Sequence, residues 1–261
     1  MNDVSGDLLV TFNGTSDSIL INGGINIDFS ATAANDGVAQ SDNIDIFTFD
    51  DGSLTFDEVL AISLTQRATD GDDIIDGFAL DDIIFGDAGN DLIRGGFGDD
   101  EIFGGSGDDE IFGQDGEDNI SGGDGEDTLS GGDGADTLTG GQADDRLSGG
   151  NSADMLTGGQ GDDFLAGGAG DDDYIFNFGD GNDVLFDSAG ENDSIDLNGY
   201  NFEDAIFTGI DDGLGDLLVS FENSTDSIII RDGTEGFGAG VETFEFDDMT
   251  VTIDDIDILI I

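Results

Sequence analysis

A period of nine residues governs this sequence. From Ala68 to Ile175 the chain divides into twelve consecutive units with no insertion, the clearest run reading GGFGDDEIF, GGSGDDEIF, GQDGEDNIS, GGDGEDTLS, GGDGADTLT. The sixth position is always aspartate: Asp73, Asp82, Asp91, Asp100, Asp109, Asp118, Asp127, Asp136, Asp145, Asp154, Asp163 and Asp172. The eighth is apolar or aromatic, from Ile75, Ile84, Ile93, Ile102, Ile111 and Ile120 through Leu129, Leu138, Leu147, Leu156 and Leu165 to Tyr174. Glycine fills the first position in eleven units, the second in eight and the fourth in nine. Asp is 52 of 261 residues, so an unbroken run of twelve at one phase reflects a structural demand rather than composition.

A nine-residue unit with one inward residue and a glycine-rich stretch is too short for a helix plus a strand. It suits a three-residue strand and a six-residue turn, two units making one coil of a flattened right-handed roll. At about 4.8 Å per coil, six coils span about 29 Å. Glycine at positions one, two and four permits positive φ and lets carbonyls converge where a Cβ would obstruct. Leu80, Ala143 and Ser152 replace glycine at position four and are expected to be strained. Asp at position six lies over the loop of the next coil, and the position-eight side chain fills the narrow core. Ligation by carboxylates and carbonyls alone selects a hard, large, flexible cation, Ca²⁺ rather than Mg²⁺ or zinc.

Composition points either to charge-neutralising cations or to a halophile-type solvated acidic surface on an ordinary core, and the nine-residue period decides between them. The chain carries 63 acidic residues against four Arg and no Lys, a formal charge of −59, and has no His, Cys, Pro or Trp. Those zeros exclude Ser-His and Cys-His nucleophiles, imidazole or thiolate zinc sites, the common haem and iron–sulfur ligands, and disulfides. Nucleic acid and anionic membranes are excluded as partners for want of a basic surface. An acidic, apolar-poor chain with 45 glycines stays unfolded unless something cancels its charge.

The array resembles the RTX, or haemolysin-type, calcium-binding nonapeptide repeats. The resemblance implies a parallel β-roll in which each Ca²⁺ lies between units n and n+2. Carbonyls of positions two and four and the Asp of the first unit join carbonyls of positions one and three and the Asp of the second. Carried over, one ion takes Gly96, Gly98 and Asp100 with Gly113, Asp115 and Asp118; another takes Gly105, Gly107 and Asp109 with Gly122, Asp124 and Asp127. Pairing across twelve units gives ten sites, and ten ions would cancel 20 of the 59 negative charges. After Ile175 the register slips, and FNFGDGNDVLFDS holds a degenerate unit whose Asp183 is either a further ligand or an ordinary turn aspartate.

The flanks resemble one another. Gly6–Ile21 aligns with Gly215–Ile230 at ten of sixteen positions, and Phe47–Val59 aligns with Phe244–Ile256. Alternating Leu8, Val10 and Phe12, then Phe47, Phe49, Leu54 and Phe56, reads as short half-buried strands. One helical turn is expected around Phe56–Leu64 and another near Phe202–Phe207. The duplicated segments look like the β-rich flanking module of RTX arrays, with an FxDG-type strand at Phe49–Gly52. The expected fold is all-β, a β-solenoid capped by two small β-rich modules, with boundaries at 1–67, 68–187 and 188–261. Residues 176–214 have no counterpart before Gly6, which reads as a chain beginning inside a module, cut from a longer tandem protein. No Sec signal or membrane span is legible, and the resemblance implies type I secretion to the extracellular medium or cell surface. The ending Asp257–Ile261 reads either as a strand of the duplicated module or as a secretion signal.

The function expected is a secreted calcium-binding module that folds on Ca²⁺, without enzymatic activity. Alternatives are surface adhesion or carbohydrate binding, and a non-catalytic domain of a larger RTX toxin or exoenzyme. No Thr/Asn ladder of an ice-binding kind runs along positions three and five. At the outward positions seven and nine, Ile74, Ile83, Phe85, Leu92, Phe103 and Phe112 form an apolar strip, expected to meet a flank, a neighbouring module or a protein partner.

Overall fold

The computed structural model describes residues 8–11, 18–21, 46–49, 52–55, 64–187, 192–210, 215–231, 241–253, 256 and 259–260. Its centre is a parallel β-roll whose successive strands alternate between two sheets. One sheet stacks Ile74–Asp76, Leu92–Phe97, Glu110–Asp115, Thr128–Asp133, Arg146–Asn151 and Phe164–Ala169. The other stacks Leu64–Arg67, Asp82–Ala88, Glu101–Ser106, Asn119–Asp124, Thr137–Gln142, Met155–Gln160 and Asp173–Asn177. Up to Asp173–Asn177, each strand pairs in parallel with the one 18 residues before it, as in Ile111↔Leu129 and Ile120↔Leu138. A repeat of two nine-residue units per coil therefore sets the register directly. Asn182–Phe186 and Ser194–Asn198 add a further coil to the two sheets, making about seven.

The strands are longer than expected. Most run six residues, from position seven to position three of the next unit, because parallel pairing resumes after position one at Gln114↔Gly132 and Asp115↔Asp133. Only three residues per unit are left to turn the chain.

The core has one layer. Position-eight residues from Ile84 to Tyr174 are at most 1% exposed, each stacked on its counterpart two units away. With so few side chains to bury, the roll has little apolar driving force per residue.

Glycine works differently at its three positions. Positions two and four have positive φ, as at Gly96 (122°), Gly98 (114°), Gly105 (117°) and Gly107 (121°). Position one is absent from the left-handed region, contrary to the expectation; Gly95, Gly104, Gly113 and Gly122 are required there for space, as described below. Ala143 (φ 77°) and Ser152 (φ 82°) are forced into the left-handed region as expected, whereas Leu80 escapes it. Asp87 (φ 64°) and Gln114 (φ 85°) are forced there too, at position two. A left-handed non-glycine residue costs about 1–2 kcal/mol, partly offset by the backbone entropy that glycine loses. Ala143→Gly and Ser152→Gly should each therefore stabilise the calcium-loaded protein by about 0.5–1 kcal/mol. Denaturant titration in saturating Ca²⁺ checks this, and a loss of stability would contradict it.

Beyond the roll, both sheets change to antiparallel pairing. Ser227–Arg231 lies parallel to Asn182–Phe186 and is followed outward by antiparallel Asp216–Phe221 and Ala205–Ile210. Thr243–Phe246 lies parallel to Ser194–Asn198 and pairs antiparallel with Thr250–Thr252. Tyr200 stacks on Phe221 at 3.8 Å, and Phe207 meets Phe244 edge-on at 5.3 Å. The sequence duplication recurs as pairing: Leu8↔Ile21 and Leu217↔Ile230 share one register, as do Phe47↔Leu54 and Phe244↔Val251. The described residues contain no α-helix. A 3-10 turn at Phe202–Asp204 occupies part of one expected helical turn, Ala205–Ile210 being strand. Most of the other, residues 56–63, falls outside the described residues, as do Phe12 and Phe56 of the expected strands.

Candidate metal centre

The position-six aspartates form two ladders, one along each edge of the roll. In one, the backbone N–H of Asp73 donates to Asp91 Oδ1, that of Asp91 to Asp109, and so on through Asp127, Asp145, Asp163 and Asp183, at 2.7–2.8 Å. In the other, Asp82 donates to Asp100, then Asp118, Asp136, Asp154, Asp172 and Asp193 follow at 2.8 Å. Asp193 N–H donates in turn to Glu242 Oε2 at 2.8 Å. After the first rung of each ladder, one oxygen of each carboxylate thus ties its coil to the coil before.

The second oxygen has no partner. From Asp91 to Asp172, every ladder aspartate buries Oδ2 without a hydrogen bond, as does Asp193; in Asp82 the unpartnered atom is Oδ1, because Oδ2 accepts from Phe78 N–H at 2.6 Å. These side chains are 0–3% exposed. A buried carboxylate oxygen without a donor is costly, and a repeated one signals a missing cation. Neither of the described ion pairs, Arg94 to Asp76 at 2.9 Å and Arg231 to Asp216 at 4.0 Å, involves a ladder.

Position-one glycine outlines the cradle. A Cβ on Gly95 would lie under 3.0 Å from both Asp100 Oδ2 and the Gly113 carbonyl oxygen, and one on Gly104 would lie equally close to Asp109 Oδ2 and the Gly122 carbonyl. The same pair of acceptors, one carboxylate and one carbonyl from the next coil, recurs at Gly113, Gly122, Gly131 and Gly140. Two acceptors converging on one point, with no donor between them, fit a hard cation bound by oxygens.

Each expected ligand set is brought together. Gly96, Gly98 and Asp100 lie on one coil, and Gly113, Asp115 and Asp118 lie directly on the next, with Gly98 N–H donating to the Asp115 carbonyl at 3.0 Å. Gly105, Gly107 and Asp109 meet Gly122, Asp124 and Asp127 likewise, Gly107 N–H donating to the Asp124 carbonyl at 2.8 Å. The Asp115 and Asp124 side chains are exposed, so only their carbonyls face this region. Asp73 stands apart: it is half-buried, and its Oδ2 accepts from Thr69 N–H and Oγ1 at 2.8 and 2.7 Å.

The ladders outrun the motif. Asp183 takes the next rung after Asp163 across 20 residues, and Asp193 follows Asp172 across 21. The sequence reading missed Asp193, although Asp183-Val184-Leu185 and Asp193-Ser194-Ile195 repeat the spacing of positions six to eight.

Burial, opposed by the backbone hydrogen bond and reinforced by neighbouring carboxylates, pushes the ladder aspartates up. Asp82, Asp109, Asp118, Asp163 and Asp172 reach about 6; Asp100, Asp127, Asp145, Asp154 and Asp193 about 7; Asp183 about 8. Asp91 and Asp136 are raised for the same reason. A carboxyl raised above its unfolded value of 3.8 makes the ion-free fold most stable in acid, and that stability is lost as pH rises through about 6–8. Protons and cations therefore compete for the same oxygens. Calcium should be released between about pH 7 and pH 5, well above the ordinary Asp range. Calcium-electrode titration across pH checks this; affinity that stays flat down to pH 4.5 would contradict it.

Residues 67–185 match the RTX calcium-binding nonapeptide repeat (4 copies) in overlapping segments: 67–93, 76–111, 103–138, 112–147, 139–174 and 148–185. This region of the chain is an RTX calcium-binding array. No curated protein matches the chain. Among solved structures it is similar to the extracellular lipase LipA from Serratia marcescens, at 17% identity and a TM-score of 0.25. That match covers 67% of this chain and 38% of the lipase, so the chain spans well under half the length of that protein.

Proposed function

We propose that the chain is a calcium-loaded, non-catalytic module of an extracellular or cell-surface protein, exported by type I secretion and ordered by Ca²⁺. The observation that carries this reading is the pair of ladders in which buried aspartates hold an unpartnered oxygen, which from Asp91 to Asp145 faces a carbonyl of the next coil. Asp73, Asp82, Asp91, Asp100, Asp109, Asp118, Asp127, Asp136, Asp145, Asp154, Asp163 and Asp172 supply the carboxylates. Carbonyls of Gly96, Gly98, Gly105, Gly107, Gly113, Asp115, Gly122 and Asp124 complete the two ligand sets given above. About ten ions are held in the array.

The strands of 188–261 close the C-terminal end of the roll, and residues 1–67 are assigned the same role at the other end. The apolar strip is assigned to a neighbouring module or a protein partner. Phe85 and Phe103 stack there at 5.0 Å, half-buried, while Ile74 is 57% exposed. Native mass spectrometry of the full chain in calcium tests the central point. About ten Ca²⁺ per chain, not displaced by equal Mg²⁺, is expected; a chain that folds with none would overturn the reading.

A further inference from the structure

In the last repeat unit, the array's cradle changes composition. In the earlier coils, from Gly77 to Gly140, the slot beside position-one glycine is bounded by an aspartate oxygen and a position-one carbonyl from the next coil. At Gly167 the second boundary is the Tyr174 hydroxyl, which accepts from Gly167 N–H at 2.8 Å and donates to Asp187 Oδ2 at 2.7 Å. Tyr174 replaces the Ile or Leu of every other position eight, and its polar tip brings in a carboxylate from outside the repeat.

The result is a group of three buried carboxylates. Oxygens of Asp172, Asp187 and Asp193 all lie within 4.8 Å of one another. Asp172 and Asp193 are fully buried, and each directs one oxygen to a backbone N–H and leaves Oδ2 without a partner; Asp187 is 6% exposed. Hydrogen bonds thus account for the orientation of the group but not for the two remaining oxygens. No cationic side chain of a described ion pair reaches them.

We infer that Asp172, Asp187 and Asp193 form a hard-cation site of their own, taking Ca²⁺ through three carboxylates where the array sites use aspartates and carbonyls. The Tyr174 hydroxyl positions Asp187 and sits at the site's edge. Asp193 is also bound through its N–H to Glu242, which precedes the strand Thr243–Phe246. An ion here joins the last repeat unit to the C-terminal strands, and the larger ligand charge gives it higher affinity than an array ion. The inference rests on the calcium-dependent fold proposed above, which brings the three carboxylates together.

The site has a built-in optical reporter. The chain has two tyrosines and no tryptophan, and Tyr200 donates instead to Asp226. Tb³⁺, a hard-cation probe, would be sensitised by Tyr174 when bound beside it. The full chain is folded in Ca²⁺, exchanged with Tb³⁺, and excited at the tyrosine band. Tyrosine-excited Tb³⁺ emission should survive Tyr200→Phe and fall at least several-fold in Tyr174→Phe. Asp187→Asn keeps an acceptor for the tyrosine hydroxyl but should bind one Ca²⁺ fewer by native mass spectrometry, with emission reduced several-fold. Emission that depends on Tyr200, or an Asp187→Asn chain with undiminished ion count and emission, would overturn the site. If Asp187→Asn does not fold, the Tyr174→Phe and Tyr200→Phe pair decides alone. Failure of the wild-type chain to bind any Ca²⁺ is a different outcome, which removes the array reading as well.

Discussion

In chelator the purified chain should lose the β signature of the roll, and adding Ca²⁺ to about 1 mM should restore it. Without ions, the two ladders hold stacked buried carboxylates, and from Asp82 to Asp172 and at Asp193 each has an oxygen lacking a donor. The array fully buries only one apolar side chain per nine residues. Against that stands the entropy of ordering a segment whose first, second and fourth positions are mostly glycine. With a Kd of about 0.1 mM and Ca²⁺ at about 1 mM, each site contributes about 1.4 kcal/mol, so ten contribute on the order of 14 kcal/mol. That equals the whole stability of an ordinary domain. At micromolar Ca²⁺ the same contribution vanishes, so the array should be unfolded at that level and fold as Ca²⁺ rises towards about 1 mM. Circular dichroism in chelator, followed by parallel Ca²⁺ and Mg²⁺ titrations, makes the measurement. A β spectrum unchanged in chelator would show that the roll forms first and the ions merely decorate it.

Much of this architecture was legible because a solenoid converts sequence period into spatial register. Asp100 and Asp118 are two units apart in sequence and one coil apart in space, so their common phase placed them on one edge before any coordinates. The same logic placed Ile111 over Leu129. What escaped was whatever depends on distances between neighbouring coils. Position-one glycine was read as serving both positive φ and inward oxygens that a Cβ would obstruct; only the second holds, the constraint being the oxygen pair facing its Cα. Strand length was underread because parallel pairing tolerates the interruption at position one. Asp187 and Asp193 escaped for a different reason. Insertions of two and three residues break the period at 20 and 21, and Asp187 reaches the site through Tyr174 rather than through any phase of the repeat.

Substitution at one cradle should reverse sign with calcium. Asp127→Asn keeps the Oδ1 that accepts from Asp109 N–H at 2.8 Å, and places an amide where the unpartnered oxygen stood, near the Gly140 carbonyl. In the ion-free protein this replaces a buried carboxylate, raised to about 7 by burial, with a neutral donor; the variant should fold more readily in chelator than the parent. In saturating Ca²⁺ it should be weaker by about 1.4 kcal/mol or more, the contribution of one lost ion. Gly122→Ala provides the contrast. Its backbone conformation suits alanine, so the chain-entropy effect alone would stabilise by about 0.4–1 kcal/mol. Its Cβ, however, would sit under 3.0 Å from Asp127 Oδ2 and the Gly140 carbonyl, filling the cradle. Overpacking of this kind costs about 1–3 kcal/mol, and adding the lost ion gives about 2–4 kcal/mol in saturating Ca²⁺. Unlike Asp127→Asn, it should bring no gain in chelator. Denaturant titrations of both variants in saturating Ca²⁺, with circular dichroism in chelator, separate charge from space. If Asp127→Asn destabilises equally in both conditions, the aspartate is a structural hydrogen-bonding residue and not a metal ligand.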